Sequence, residues 1–238
     1  MYILSTHLKP VQDAELKACE QSTRVKLPES YRRFLSECGQ GTYRGLINIS
    51  LPDAEVLQEF AEYDLWEHGE ESPVSREQIA ECVVSATTID GDFVALHPAV
   101  EGLLWLPRHS EEITWSGITG PDFTAILDRL ISDHYGNEYP GISYFDPWNN
   151  RKQHLFLHLK DGSLTLEELA LLCRERFGAD LWLETPHSGQ LFLQDIGGGI
   201  RFNYAYRLEV AVFFEPGEFL SGAIIRFLEA LGCVRQNS

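Results

Sequence analysis

Few residues of this chain are placed for chemistry. Asp90, Asp92 and His97 are close enough to suggest ligands for a divalent metal. Asp90 and Asp92 flank Gly91, however, and acids beside a turn glycine are ordinary turn residues, so no metal site is expected. His154 and His158 stand four apart on a predicted strand and share one face with Phe156, but no carboxylate is placed to complete a site. Arg108-His109-Ser110 sets a base beside a hydroxyl. Sequence neighbours rarely form a nucleophile–base pair, and Ser110 lacks a nucleophile-elbow context. Gly197-Gly198-Gly199 is not followed by Lys-Ser or Lys-Thr and reads as a hairpin turn rather than a phosphate loop. Asp146-Pro147-Trp148 and Glu215-Pro216-Gly217 read as turns. The cysteines Cys19, Cys38, Cys82, Cys173 and Cys233 are odd in number and form no C-x-x-C pair. They read as reduced, mostly buried thiols of a cytosolic protein. The expectation is a protein that is not an enzyme, with no catalytic residue, no metal and no cofactor.

What the chain concentrates is negative charge. Its 36 Asp and Glu against 19 Lys and Arg give a net charge of −17 over 238 residues. Residues 1–150 carry −15 of this and residues 151–238 carry −2. The 29 residues from 53 to 81 hold ten acids against Arg76 alone, a net −9. Binding nucleic acid by neutralising phosphates needs a basic face, and an anionic membrane surface would repel this one, so both are excluded as partners. No basic start with a long apolar run is expected to act as a leader, and no apolar run reaches membrane-spanning length. The expectation is a soluble, cytoplasmic protein that meets a basic protein partner. Glu55, Glu59, Glu62, Tyr63, Asp64, Trp66, Glu67, Glu70 and Glu71 are the candidate partner-binding residues. Phe60, Tyr63 and Trp66 supply possible buried anchors. The competing reading is a solvated helix face.

The elements that would position these residues follow from spacing. A helix is predicted over Leu8–Glu20. A second opens at Pro28, with Tyr31, Phe34 and Leu35 on one face and Gly39 at its end. Leu46–Ile49 reads as a strand. A third helix is predicted after Asp53, with Val56, Leu57, Phe60 and Ala61 as its buried stripe. Cys82–Ser85, Asp92–Leu96 and Leu103–Leu106 read as a strand meander, and Asp122 caps a closing helix. Beyond a Gly/Pro/Asn-rich stretch come a strand over His154–Leu159 and a turn at Asp161-Gly162. A helix with a Thr165…Glu168 capping box follows, then four strands and a last helix over Phe219–Leu231. The fold class is α+β, divided as a binding domain over 1–132, a linker over 133–152 and a smaller strand-rich α+β module over 153–238.

Two motifs carry a resemblance. Leu27, Pro28, Tyr31, Phe34 and Leu35 followed by Gly39, and Gly91-Asp92 followed by Pro107-Arg108, make the stretch from about 8 to 131 resemble the SUKH superfamily of Smi/Knr-type and Syd-like proteins. The resemblance implies a bent antiparallel sheet flanked by helices, with these motif residues mostly structural. Many bacterial members look like immunity proteins that bind a cognate polymorphic toxin, frequently a nuclease. The expected function is therefore neutralisation of such a toxin through the acidic surface, because a nuclease needs a basic groove that an acidic face can occupy. A general interaction or regulatory module without a toxin is the alternative. An enzyme would need a site at the junction of the two parts, using His134, His154 or Asp146.

Overall fold

In the computed structural model every residue is described except Ala61, Asp64, Thr119, Pro121, 137–141, Asp161, Ser163, Glu218, Asn237 and Ser238. In chain order the elements are β1 (Tyr2–Ile3), α1 (Asp13–Thr23), α2 (Glu29–Cys38), β2 (Gly41–Tyr43), β3 (Ile47–Asp53), β4 (Val83–Thr88), β5 (Phe93–His97), β6 (Val100–Leu106), β7 (Thr114–Ser116), α3 (Phe123–Tyr135) and β8 (Tyr144–Pro147). There follow β9 (Gln153–Leu159), α4 (Leu166–Phe177), β10 (Leu181–Thr185), β11 (Ser188–Leu193), β12 (Gly198–Asn203), β13 (Glu209–Phe214), α5 (Phe219–Ala230) and β14 (Cys233–Arg235). The fold is α+β. The chain divides into two units, Leu8–Trp148 with Met1, and Asn149–Ser238 with Tyr2–His7.

In the first unit the antiparallel order is β8-β2-β3-β4-β5-β6-β7. Pro28 opens α2, and Tyr31, Phe34 and Leu35 are buried along its inner face. Phe123 of α3 lies 5.0 Å from Tyr31 and 5.5 Å from Phe34, and Phe145 of β8 lies 5.1 Å from Phe34. These aromatic contacts tie α2, α3 and β8 into one apolar layer. The Tyr31 hydroxyl satisfies itself on the carbonyls of Ser50 and Ser85. Asp122 accepts the Thr124 N–H at 2.9 Å and so starts α3.

The opposite side of this sheet carries a second apolar layer. Val84, Ala95, Leu104 and Leu106 pack with Leu57, Trp66, Val74 and Ile79. The chain between β3 and β4 therefore covers the sheet, but not as the predicted helix. It makes successive turns, with Gln58 N–H to Glu55, Phe60 N–H to Leu57 and Tyr63 N–H to Phe60. Acids spaced three and four apart, such as Glu55 with Glu59 and Glu67 with Glu70 and Glu71, repel along a helix face and disfavour that alternative. Residues 144–147, inside the stretch expected to link the two parts, form β8. Pro140 and Gly141 lie outside the described residues.

The second unit is a sheet of order β10-β11-β12-β13-β9-β14, all antiparallel. Helices α4 and α5 share a core with it that includes Leu157, Leu169, Cys173, Leu191, Phe202, Val210, Val212, Ile224 and Leu228. The capping box at α4 is present in full, Glu168 N–H to Thr165 Oγ1 at 3.2 Å and Thr165 N–H to Glu168 at 2.8 Å. Phe177 and Phe227 join the two helices edge-on at 5.3 Å. Gly197 ends a single helical turn over Gln194–Ile196, and Gly198 and Gly199 begin β12 rather than forming a bare hairpin loop. The turn Asp161-Gly162 rests on Asp161, outside the described residues. Among the described residues no helix is long and apolar enough to cross a membrane.

Candidate functional site: an acidic face and the cleft beside it

The acidic segment begins where β3 ends. Asp53 accepts the Glu55 N–H at 2.8 Å and turns the chain out of the sheet. From there apolar and acidic side chains separate. Leu57, Trp66, Val74 and Ile79 are buried, and Phe60 is half-buried at 5.4 Å from Phe93. Glu55, Glu59, Glu62, Glu67, Glu70 and Glu71 are all exposed. Tyr63 is 65 % exposed and stands among them as the available aromatic. Trp66 is not an anchor for a partner. It is 6 % exposed, and its indole N–H donates to the Pro107 carbonyl at 2.8 Å. An indole that has already buried its ring and satisfied its one donor belongs to the core. Asp64 lies outside the described residues.

The motif residues hold the frame of this unit. Leu27 is buried, and its N–H donates to Glu20 at 3.0 Å. Gly39 closes α2 at a φ of 78°, and a Cβ there would lie 2.1 Å from the Lys9 carbonyl oxygen. Gly91, at a φ of 91°, makes the turn from β4 to β5. Asp92 next to it accepts the Arg108 N–H at 2.7 Å, while its own N–H donates to Thr88 Oγ1 at 3.0 Å. One aspartate thus ties the β4–β5 turn to the end of β6.

That tie forms one wall of a cleft of about 270 Å³. Asp90 and Asp92 line it from the turn, Pro107, His109 and Ser110 from the segment after β6, and Trp105, His134 and Tyr135 from β6 and α3. The His134 ring lies flat on Trp105, 3.9 Å between centroids and 5° between planes. His134 Nε2 stands 3.3 Å from Thr114 Oγ1. Burial holds its imidazole below the ordinary pKa, against the opposing charges of Asp133 and Asp92. Burial also pushes the Tyr135 phenol up to about 12. Ser110 Oγ accepts the Glu112 N–H at 3.3 Å and so serves a turn. His97 is buried on β5, where its Nδ1 accepts the Ala99 N–H at 3.1 Å. Among the described residues no group of three or more His, Cys, Asp or Glu side chains could hold a metal ion.

The acidic face and the cleft are joined. Trp66 bonds to Pro107, and the Glu67 N–H donates to the Glu111 carbonyl at 2.8 Å. The segment that carries Glu67, Glu70 and Glu71 is therefore fastened to the cleft rim, where Glu111 and Glu112 are also exposed.

The second unit holds a different polar centre, at a residue the sequence presents as a turn acid. Glu215 is 2 % exposed. Ser5 Oγ donates to it at 2.5 Å, His7 Nδ1 lies at 2.5 Å, Asn149 Nδ2 donates at 2.9 Å and Arg151 Nε lies at 3.9 Å. Burial alone would raise this carboxyl's pKa. The hydrogen bonds from Ser5 and Asn149 and the charge of His7 outweigh it and hold the group below the usual carboxylate range. Lys152 is driven down to about 8 by burial, with Glu215 opposing. Ser5 Oγ and the His7 ring both bond to the carboxylate, and Ser5 Oγ accepts the His7 backbone N–H at 3.0 Å rather than facing the imidazole, an order that anchors a segment and does not activate a nucleophile. His154 packs on Phe213 at 5.0 Å, within the same unit. Asp146 lies on β8 of the first unit.

The cysteines are free, four of them buried and Cys19 half-buried. No curated protein and no solved structure matches the chain. The model of the SMI1 / KNR4 family (SUKH-1) matches residues 10–129, just over half of the 238 residues and nearly the whole of the unit that carries the face and the cleft. The chain belongs to the SMI1/KNR4 (SUKH-1) family.

Proposed function

We propose that the protein is a cytoplasmic immunity-type binding protein that neutralises a basic bacterial toxin domain, a nuclease by preference, with the acidic face over its substrate groove. One observation carries the reading. In the segment 53–81 Leu57, Trp66, Val74 and Ile79 are buried while Glu55, Glu59, Glu62, Glu67, Glu70 and Glu71 are exposed, with Tyr63 and Leu65 exposed among them. Like charges gathered on one rigidly backed surface repel each other, and a cationic partner relieves that repulsion. Such a surface steers encounter and sets the on-rate, while Tyr63 supplies a rigid contact at low entropy cost. No reaction is involved.

The test is surface plasmon resonance of the full chain against the toxin domain encoded beside its gene. Changing Glu59, Glu62, Glu67 and Glu70 together to Lys is expected to slow association by about 10- to 100-fold at low salt, with dissociation changed much less. Unchanged association at low salt would remove the face as the interface. Absence of binding by the unaltered chain would remove the function.

A further inference from the structure

We propose that Trp115 and the open edge of β7 receive an extended, cationic segment of the basic protein partner, laid against β7 as an added strand. This rests on the reading above, because it names the kind of partner segment that continues from the acidic face.

Trp115 is set out for contact. Its side chain is 53 % exposed. The indole N–H of Trp66 bonds to Pro107 and that of Trp148 to Thr42, whereas the Trp115 N–H has no acceptor among the described residues. Its place on the sheet is built. Trp115 is the cross-strand partner of Leu104, so it stands on the sheet face that the acidic segment covers. There its ring lies over Gly102, where a Cβ would come 2.2 Å from Nε1, and reaches to Gly117, 3.7 Å from the same position on that residue. Gly102 has no positive φ. Glycine is needed there for the close approach of the ring and of the Ser116 carbonyl oxygen, 2.7 Å from that Cβ position. A ring held in this way loses little freedom on binding and still carries a donor for the partner.

The edge supplies the second element. β7 pairs with β6 on one side and ends the sheet on the other. Neither proline, lysine nor a register shift guards Thr114-Trp115-Ser116. Main-chain N–H and C=O groups left open along such an edge are a template for a further strand.

Charge selects the occupant. Residues 100–117 hold Glu101, Glu111 and Glu112, all exposed, with Arg108 their one Lys or Arg. The acidic face runs into them, because Glu67 is bridged in parallel to Glu112 and donates its N–H to Glu111 at 2.8 Å. A second copy of this chain, at net −17, is repelled from this edge, and a segment rich in Lys or Arg is drawn to it. In an extended segment alternate side chains point to opposite faces, so apolar residues can meet Trp115 while cations meet the glutamates.

The experiment titrates the full chain with a decapeptide of alternating lysine and valine. A second decapeptide, with proline in place of each valine, keeps the charge and removes the N–H donors that an added strand needs. Amide and indole resonances are followed by NMR. The valine peptide is expected to shift the Trp115 indole N–H and the amides of Thr114–Ser116, and to bind about fivefold tighter than the proline peptide. Trp115→Ala, which removes an exposed ring, is expected to abolish that preference while both peptides still shift residues 55–71. Equal affinities of the unaltered chain for the two peptides, or a Trp115 indole that does not move, would overturn the added strand and leave the acidic face standing. A preference that survives Trp115→Ala would overturn it as well. No binding of either peptide at low salt would overturn both the strand and the face.

Discussion

The acidic segment of the first unit and the Glu215 centre of the second handle carboxylates in opposite ways. In the first, Glu55, Glu59, Glu62, Glu67, Glu70 and Glu71 are held in water by a turn-built cover whose apolar residues are packed beneath them. In the second, Glu215 is the one enclosed carboxylate among the described residues, and Ser5, His7, Asn149 and Arg151 gather around it. The first arrangement leaves charge available to a partner and asks nothing of it structurally. The second consumes one charge to fasten a segment from the start of the chain, residues Tyr2–His7, into a unit that otherwise begins at Asn149. Tyr2 and Ile3 reinforce that fastening through bonds to Asp180 and Gln194. The amount of charge in a region is thus a poor guide to what it holds together; its enclosure and its partners decide.

The largest effect expected from this contrast is at Glu215. Glu215→Ala leaves Ser5, Asn149 and the neighbouring cations without their common acceptor in a buried place. It should destabilise the second unit by about 3–5 kcal/mol, the range for breaking a buried charged pair from one side. Hydrogen exchange should show the amides around residues 5–7 losing protection first. Acid should imitate the substitution. The folded pKa of Glu215 lies below its ordinary value, so its contribution is complete above the unfolded pKa, near 4.5, and is lost as pH falls through the folded value. A Glu215→Ala loss under about 1 kcal/mol, or an acid transition unaltered by Glu215→Gln, would reduce the centre to a surface cluster.

Two aromatics of the acidic segment sharpen the comparison inside the first unit. Trp66 and Tyr63 are three residues apart, yet one is 6 % and the other 65 % exposed. Trp66→Ala should cost about 3 kcal/mol in urea unfolding, since it opens a void among Leu57, Val74 and Leu106 and orphans the Pro107 carbonyl. Tyr63→Ala should leave the unfolding midpoint within about 0.5 kcal/mol and reduce only partner binding. Equal stability losses at both positions would mean that the segment has no outward face.

How much of this was legible follows the range of the interaction that decides each feature. The Thr165–Glu168 capping box and the Asp122 cap are local, and each appears in the structure where the sequence puts it. The strand meander was legible from runs such as Val83-Val84 and Leu103–Leu106. The buried stripe Val56, Leu57 and Phe60 was also legible, but not its backbone. The same spacing serves a string of turns, and repulsion between acids such as Glu55 and Glu59 disfavours the helix. Strand β8 is four residues after a Gly/Pro-rich stretch, too short to announce itself. The cleft unites Asp90 and Asp92 with a ring stack whose histidine comes more than forty residues later, so the aspartates look like plain turn acids. Glu215 and Ser5 are 210 residues apart, and nothing near either marks the bond.

A further small structural effect separates the two units most sharply. Changing Glu59, Glu62, Glu67 and Glu70 to Lys alters the net charge by eight units, from −17 to −9. Those four side chains are exposed. Exposed carboxylates contribute little to folding, so stability should move by less than about 1 kcal/mol. The sign should be favourable at low ionic strength, because the substitution relieves repulsion within the segment, and the gain should fade as salt screens it. Thermal unfolding at two salt concentrations reads both. A loss comparable to that of Glu215→Ala would show that these carboxylates hold the cover in place, and the acidic face would then be part of the fold rather than a surface kept for a partner.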